Sequence, residues 1–228
     1  MTTPLVLFDF DGTLADTAPG LAAAANRQRA YRDLGPLPYD RLRPVASQGA
    51  RGLLRVALGL HPEDAGYDEA RIRFLADYAE LMYDHSALFA EVPQLLASLN
   101  DAGLRWGIVT NKQTTLAEPL VAHLQLAASV VVCGDTTPHA KPHPAPLLHA
   151  AAALNHPPEH CLYVGDDLRD VQAGHAAGMI TIAAAWGYCG DEAPVESWQA
   201  HHIAPLPLDT LAVVRARANL AAAKAPTP

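Results

Sequence analysis

Val6-Leu7-Phe8-Asp9-Phe10-Asp11-Gly12-Thr13-Leu14 opens as an apolar strand and closes on two carboxylates and a turn. The run from Leu5 to Phe8 has the length and composition of a buried strand, and Gly12 and Thr13 are residues that end one. Side chains of an extended chain repeat every second residue, so Asp9 and Asp11 can project to one side while Phe10 points into packing. Two carboxylates held that close repel unless a cation lies between them or a proton is shared. A divalent metal at the strand end would meet that need. Asp also closes turns without any ligand, so the choice between the readings rests on what the rest of the chain brings to the same place.

Half of the 228 residues are apolar and 18% are charged, a balance that excludes general disorder and allows one large core, or a core with a small second module. Sixteen Lys and Arg against 24 Asp and Glu give a net charge of -8, so no basic footprint points to nucleic acid or an anionic membrane. An acidic protein that handles phosphate must supply positive charge locally, through a metal and a few placed basic groups. Cys133, Cys161 and Cys189 are neither closely paired nor arranged as Cys-x-x-Cys, and two of them sit in apolar runs where a buried, inert thiol is expected. A reducing compartment fits. No basic segment with a long apolar core opens the chain and no apolar run reaches membrane-spanning length, so the expected location is the cytoplasm.

After Thr13, Asp16-Thr17-Ala18-Pro19 predicts a helix start, and an Ala-rich run continues to about Leu34 before Gly35-Pro36-Leu37-Pro38 breaks it. From Tyr39 to about Ser86 the pattern stays helical, with a loop at Ser47-Gln48-Gly49 and helices over about 50–58 and 68–84. No strand candidate interrupts it. Residues 16–86 are therefore expected to form a helical cap, inserted after the first strand and folded over its carboxylates. From Phe89 strands and helices alternate, with strands expected at 106–109, 130–132, 161–164 and 181–185, and helices at 92–100, 115–124, 145–154 and 168–177. A closing helix follows from Leu208 to about Ala223, and Ala225-Pro226-Thr227-Pro228 is expected to fray. This alternation predicts an α/β fold, a doubly wound parallel sheet built from residues 1–15 and 87–228, with ligands at the carboxyl ends of its strands.

Polar residues stand at those ends in four separate pieces: Asp9 and Asp11, then Thr110 and Asn111, then Lys141 before Pro142-His143-Pro144, then Asp166, Asp167 and Asp170. In chain order and spacing they resemble the four motifs of the haloacid dehalogenase-like superfamily, most of whose members are Mg-dependent phosphatases with a Rossmann-like core. The resemblance spans essentially the whole chain. It implies that Asp9 is the nucleophile that becomes a transient aspartyl phosphate, and that Asp11 is the acid and base. It also implies that Mg²⁺ is held by the carboxylates of Asp9 and Asp166 and the backbone carbonyl of Asp11, while Thr110, Asn111 and Lys141 clamp the phosphate. Asp167 and Asp170 fit outlying or water-mediated roles about the cation; Asp170 equally fits a helix-end carboxylate with no part in metal binding. Lys141 has the alternative of a solvated loop lysine.

Substrate choice is expected in the cap, where Ser47, Gly49 and Arg51 form a compact polar cluster and Arg51 can grip a carboxylate with both nitrogens; a surface arginine is the alternative. Ser47-Gln48-Gly49-Ala50-Arg51, Trp106-Gly107-Ile108-Val109-Thr110-Asn111-Lys112 and Gly165-Asp166-Asp167-Leu168-Arg169-Asp170 are similar to the phosphoglycolate phosphatase branch, and more narrowly to N-acetylmuramic acid 6-phosphate phosphatases. The sequence departs from that branch at Glu91, often Gly, and at Gln113, commonly Pro. The expected substrate is thus a small phosphate ester, N-acetylmuramate 6-phosphate or 2-phosphoglycolate. A sugar phosphomutase and a receiver-like signalling phosphoacceptor are the competing functions, and the assembly expected is a monomer or homodimer. His85 and His143 are placed near substrate, while His139 with His143 and His201 with His202 lack a carboxylate at zinc-ligand spacing.

Overall fold

The computed structural model describes residues 3–190 and 193–223, so Ala225-Pro226-Thr227-Pro228 lies outside the described residues. Among these, six strands form one parallel sheet in the order β5-β4-β1-β6-β7-β8. They are β1 (Leu5–Phe8), β4 (Trp106–Val109), β5 (Val131–Val132), β6 (Cys161–Gly165), β7 (Ile180–Ala184) and β8 (His202–Ala204). The helices α5 (Val92–Asp101), α6 (Thr114–His123), α7 (Ala145–Ala153), α8 (Leu168–Ala176) and α9 (Thr210–Ala223) connect or close them. Strand β1 is central, with Leu7 opposite both Gly107 and Tyr163. The chain builds outward from β1 through β4 to β5, then returns to add β6, β7 and β8 on the other side, so the loops after β1, β4 and β6 diverge and leave a crevice at their carboxyl ends.

Both faces of this sheet are covered, which is why its strands read as continuous apolar runs. Val6 and Phe8 pack with Leu95, Leu120 and Ile182 on one face, while Leu5 and Leu7 pack with Leu147, Ala173 and Met179 on the other. Strand β8 was not anticipated. Only Ala204 of its three residues is buried, so an edge strand this short carries no apolar run to announce it.

A short antiparallel pair, β2 (Ala15–Asp16) with β3 (Ala87–Leu88), forms the neck of the helical segment. Between them lie α1 (Ala18–Ala30), α2 (Tyr39–Leu42), a 3-10 turn (Arg43–Gln48), α3 (Gly49–Leu58) and α4 (Tyr67–Leu81). Helix α1 stops short of the predicted Leu34 because Asp33 turns to φ 53° and the Leu34 N–H folds back onto the Arg29 carbonyl at 3.0 Å. Phe10 and Leu14 pack in one apolar cluster with Leu53, Phe74 and Tyr78, so the turn after β1 is buried against α3 and α4. Burying each such side chain contributes about 1.5–3 kcal/mol. Tyr188 ties the neck down from behind: its hydroxyl accepts from the N–H groups of Thr17 (2.7 Å) and Ala18 (2.9 Å), donors that helix α1 itself leaves unpaired.

Candidate active site

Asp9 continues β1 by one residue, its N–H donating to the Val164 carbonyl at 2.8 Å, and this places its carboxylate beside the end of β6. Asp166 follows β6 and is fully buried. Its Oδ1 accepts from Thr13 Oγ1 (3.0 Å), and its Oδ2 from the Tyr188 N–H (2.9 Å) and Ser47 Oγ (3.2 Å). Glycines make this approach possible. A Cβ on Gly12, which sits at φ +83°, would lie 2.1 Å from Asp166 Oδ2, and one on Gly187 would lie 2.2 Å from Asp166 Cβ.

Asp170, in the first turn of α8, completes a buried cluster in which one carboxylate oxygen each from Asp9, Asp166 and Asp170 lie within 4.8 Å of one another. Its Oδ2 accepts from the Asp167 N–H at 3.1 Å as part of a helix cap, and its Oδ1 is 2.8 Å from Lys141 Nζ. Lys141 is buried and reaches between the strands. Its Nζ donates to Tyr163 Oη (2.7 Å) and the Val109 carbonyl (3.0 Å), and lies 2.9 Å from Asp9 Oδ1. That last contact sets the Lys141 ammonium directly against Asp9 Oδ1 as a buried ion pair.

Three buried carboxylates against one ammonium is an unbalanced account. Burial pushes the Asp9 carboxyl up to about 7, with Lys141 opposing and Asp170 and Asp11 reinforcing. Burial, then Asp9 and Asp170, push Asp166 well above the usual carboxylate range. Burial works to lower Lys141, but Asp170 and Asp9 outweigh it and leave its proton more firmly held than usual. Three buried carboxylate oxygens this close together, in a cluster that favours protons in place of missing positive charge, fit a small, hard, oxygen-preferring dication.

Asp11 points elsewhere. Its Oδ1 accepts from Thr17 Oγ1 (2.5 Å) at the neck and from Lys112 Nζ (2.9 Å), and Lys112 also donates to Tyr78 Oη (2.9 Å) on α4. The Asp11 side chain is not in the three-carboxylate cluster. Thr110 stands at the end of β4, and Asn111 exchanges two 2.9 Å hydrogen bonds with the backbone of Lys141, fixing that loop. Both Asp167 oxygens are taken by Arg169, at 2.7 and 2.8 Å, which holds the Asp167 carboxyl below its ordinary value despite burial.

Asp9, Asp11, Thr110, Asn111, Lys141, Asp167 and Asp170 line one cavity of about 290 Å³, and from the helical segment Ser47, Gly49 and Arg51 line it too. Asp166 is fully buried and does not line it. His85 and His143 do not line this cavity; the His143 ring accepts from the Ala145 N–H at 3.1 Å in its own exposed loop. Sequence reasoning passed over Lys112, although it stands beside Asn111 after an apolar strand, where the other site residues were found. It also passed over Tyr163 and Arg71, which carry no such signal: one is an apolar-run residue in β6, the other a helical arginine among several.

The family model of haloacid dehalogenase-like hydrolases matches residues 3–178. An N-acetylmuramic acid 6-phosphate phosphatase of Pseudomonas putida is 39% identical over 211 residues, covering 92% of this chain and 95% of that protein. A phosphoglycolate phosphatase of Xanthomonas campestris pv. campestris is 44% identical over 198 residues, covering 86% and 89%. The crystal structure of a predicted phosphoglycolate phosphatase from Haemophilus somnus superposes with a TM-score of 0.82 at 26% identity, covering 93% of this chain and 99% of that one. With strand order, buried carboxylates and relatives in agreement, the chain belongs to the haloacid dehalogenase-like hydrolase family, and its relatives in that family are phosphatases.

Proposed function

We propose that the protein hydrolyses a small phosphorylated metabolite by passing the phosphoryl group first to Asp9 and then to water. The observation that carries this reading is Asp9 itself: a buried carboxylate, 2.9 Å from a buried lysine, lining a cavity that Asp11 also lines. A carboxylate oxygen of Asp9 attacks phosphorus as the bond to the ester oxygen breaks, and Asp11 gives its proton to the departing alkoxide. Asp11 then takes a proton from water, whose oxygen attacks phosphorus, and Asp9 leaves as a carboxylate with inorganic phosphate as product. The Lys141 ammonium, the Thr110 hydroxyl and the Asn111 N–H supply fixed positive charge and donors to the phosphoryl oxygens, whose charge is what such a reaction must stabilise.

Mg²⁺ would be held by Asp9, Asp166 and the Asp11 carbonyl, with Asp170 beside it, and when bound would neutralise charge among the carboxylates and on the phosphate. Residues 16–86 are read as the cap that closes over this site, and residues 1–15 with 87–228 as the core that carries the chemistry. N-acetylmuramate 6-phosphate and 2-phosphoglycolate are the substrates that the relatives' names support. The test is cleavage of p-nitrophenyl phosphate with Mg²⁺ and with excess EDTA, in the parent and in Asp9→Asn. Turnover is expected only with metal, and the variant is expected to lose it by roughly 10³-fold or more. Metal-independent cleavage, or a fully active variant, refutes the mechanism.

A further inference from the structure

Five cations line the cavity: Arg51, Arg71, Lys112, Lys141 and Arg169. Three are matched to carboxylates, Lys141 with Asp9 and Asp170, Lys112 with Asp11, and Arg169 with Asp167. Among the described residues, Arg51 and Arg71 face the same space with no carboxylate partner. Two uncompensated guanidinium groups in the wall of a cavity make a place for an anion. Arg51 also borders a neighbouring cavity, so Arg71 is the one committed to this space.

Helix α4 acts as a ruler for where that anion must sit. Tyr67, Arg71, Phe74, Leu75 and Tyr78 all line the cavity, the spacing of a single helical stripe. Tyr78 marks the chemical end, since Lys112 bridges its hydroxyl to the Asp11 carboxylate at 2.9 Å each way. Arg71 lies seven residues earlier, which at 1.5 Å per residue is about 10 Å along the axis. Helical side chains also lean toward the helix N-terminus, so Arg71 reaches away from Tyr78. The stripe between them presents the half-buried Leu75, backed by the fully buried Phe74, an apolar side for a carbon skeleton.

We propose that Arg71, together with Arg51, reads a carboxylate at the end of the substrate remote from phosphorus, so that the substrate class is a phosphomonoester of sugar size bearing an acid. This rests on the phosphatase reading above and narrows it. A two-carbon phospho acid has its carboxyl carbon three bonds from phosphorus, roughly 4 Å at most, well short of the about 10 Å that separates Arg71 from Tyr78 along α4. It also leaves most of the 290 Å³ unfilled. A six-carbon ring with phosphate on one side and an acid on the other bridges the distance and covers the apolar stripe.

The experiment compares kcat/KM for N-acetylmuramate 6-phosphate, for N-acetylglucosamine 6-phosphate, which keeps the ring and phosphate but lacks the acid, and for 2-phosphoglycolate. The first is expected to exceed the other two by about ten- to hundredfold, the worth of a charge-assisted pair. Arg71→Met is expected to bring the first down to near the second, and Arg71→Lys, which keeps the charge and loses the fork, to fall between. Equal rates on the two amino sugars, preference for 2-phosphoglycolate, or an Arg71→Met loss that is the same on both amino sugars would overturn the inference. Cleavage of p-nitrophenyl phosphate with none of the three turned over also overturns it and leaves the phosphatase reading standing; no cleavage of any ester removes both.

Discussion

Stripping divalent ions from this protein should make its stability fall as pH rises, and the buried carboxylates set the size of the effect. The Asp9 carboxyl is raised from the ordinary 3.8 to about 7. Below pH 4 it is protonated in folded and unfolded chains alike, and it contributes its full share. Between pH 4 and 7 the unfolded chain ionises while the folded one keeps its proton, so the metal-free fold loses stability over that window and levels off above it. At about 1.4 kcal/mol for each pH unit crossed, the loss is at most about 4 kcal/mol, or about 8–16 °C in Tm for a chain of this length. Asp166 acts in the same direction. A divalent ion held as proposed would compete with those protons and bind the folded state, so its stabilisation should be small at pH 5 and large at pH 8. The assay is thermal denaturation of EDTA-treated protein from pH 5 to pH 8, with and without Mg²⁺, beside Asp9→Asn, which removes this titration and leaves the histidines in place. A pH slope that is the same in parent and variant, or a Mg²⁺ gain that does not grow with pH, would refute the account.

Three further outcomes follow from the packing of the site. Lys141→Met leaves Asp9 and Asp170 without their shared ammonium and should cost about 3–5 kcal/mol of stability, read from a urea midpoint, while turnover is lost. Gly12→Ala forces a Cβ toward Asp166 from a backbone at φ +83° and should destabilise by about 1–3 kcal/mol and weaken metal-dependent activity, checked by Tm and a Mg²⁺ titration. Tyr188→Phe leaves the Thr17 N–H without its acceptor and the Ala18 N–H with Asp16 Oδ1 at 3.3 Å alone, for an expected loss of about 1–3 kcal/mol in the same denaturation assay; an unchanged midpoint would show that other groups satisfy them.

The alternation of apolar runs with helical stretches is local information, and it was enough for the parallel sheet, the helical insertion after β1 and the line of polar residues at the strand ends. Asp9, Asp11, Thr110, Lys141 and Asp166 are weak signals one by one; they were legible together, because their order and spacing after apolar strands resemble the family's four motifs. Strand β8 was not, because it is held by pairing to β7 and has only one buried side chain. The same holds for contacts made across the fold. That Ser47 touches Asp166, that Lys112 joins Asp11 to Tyr78, and that Asp170 caps a helix while facing Asp9 depend on residues 34 to 161 positions apart, or on a carboxylate's two oxygens facing different ways. Periodicity along the chain reports which face of an element is buried. Which charges meet there, and which arginines are left without a partner, is decided by the distances that only the packed sheet and helices create.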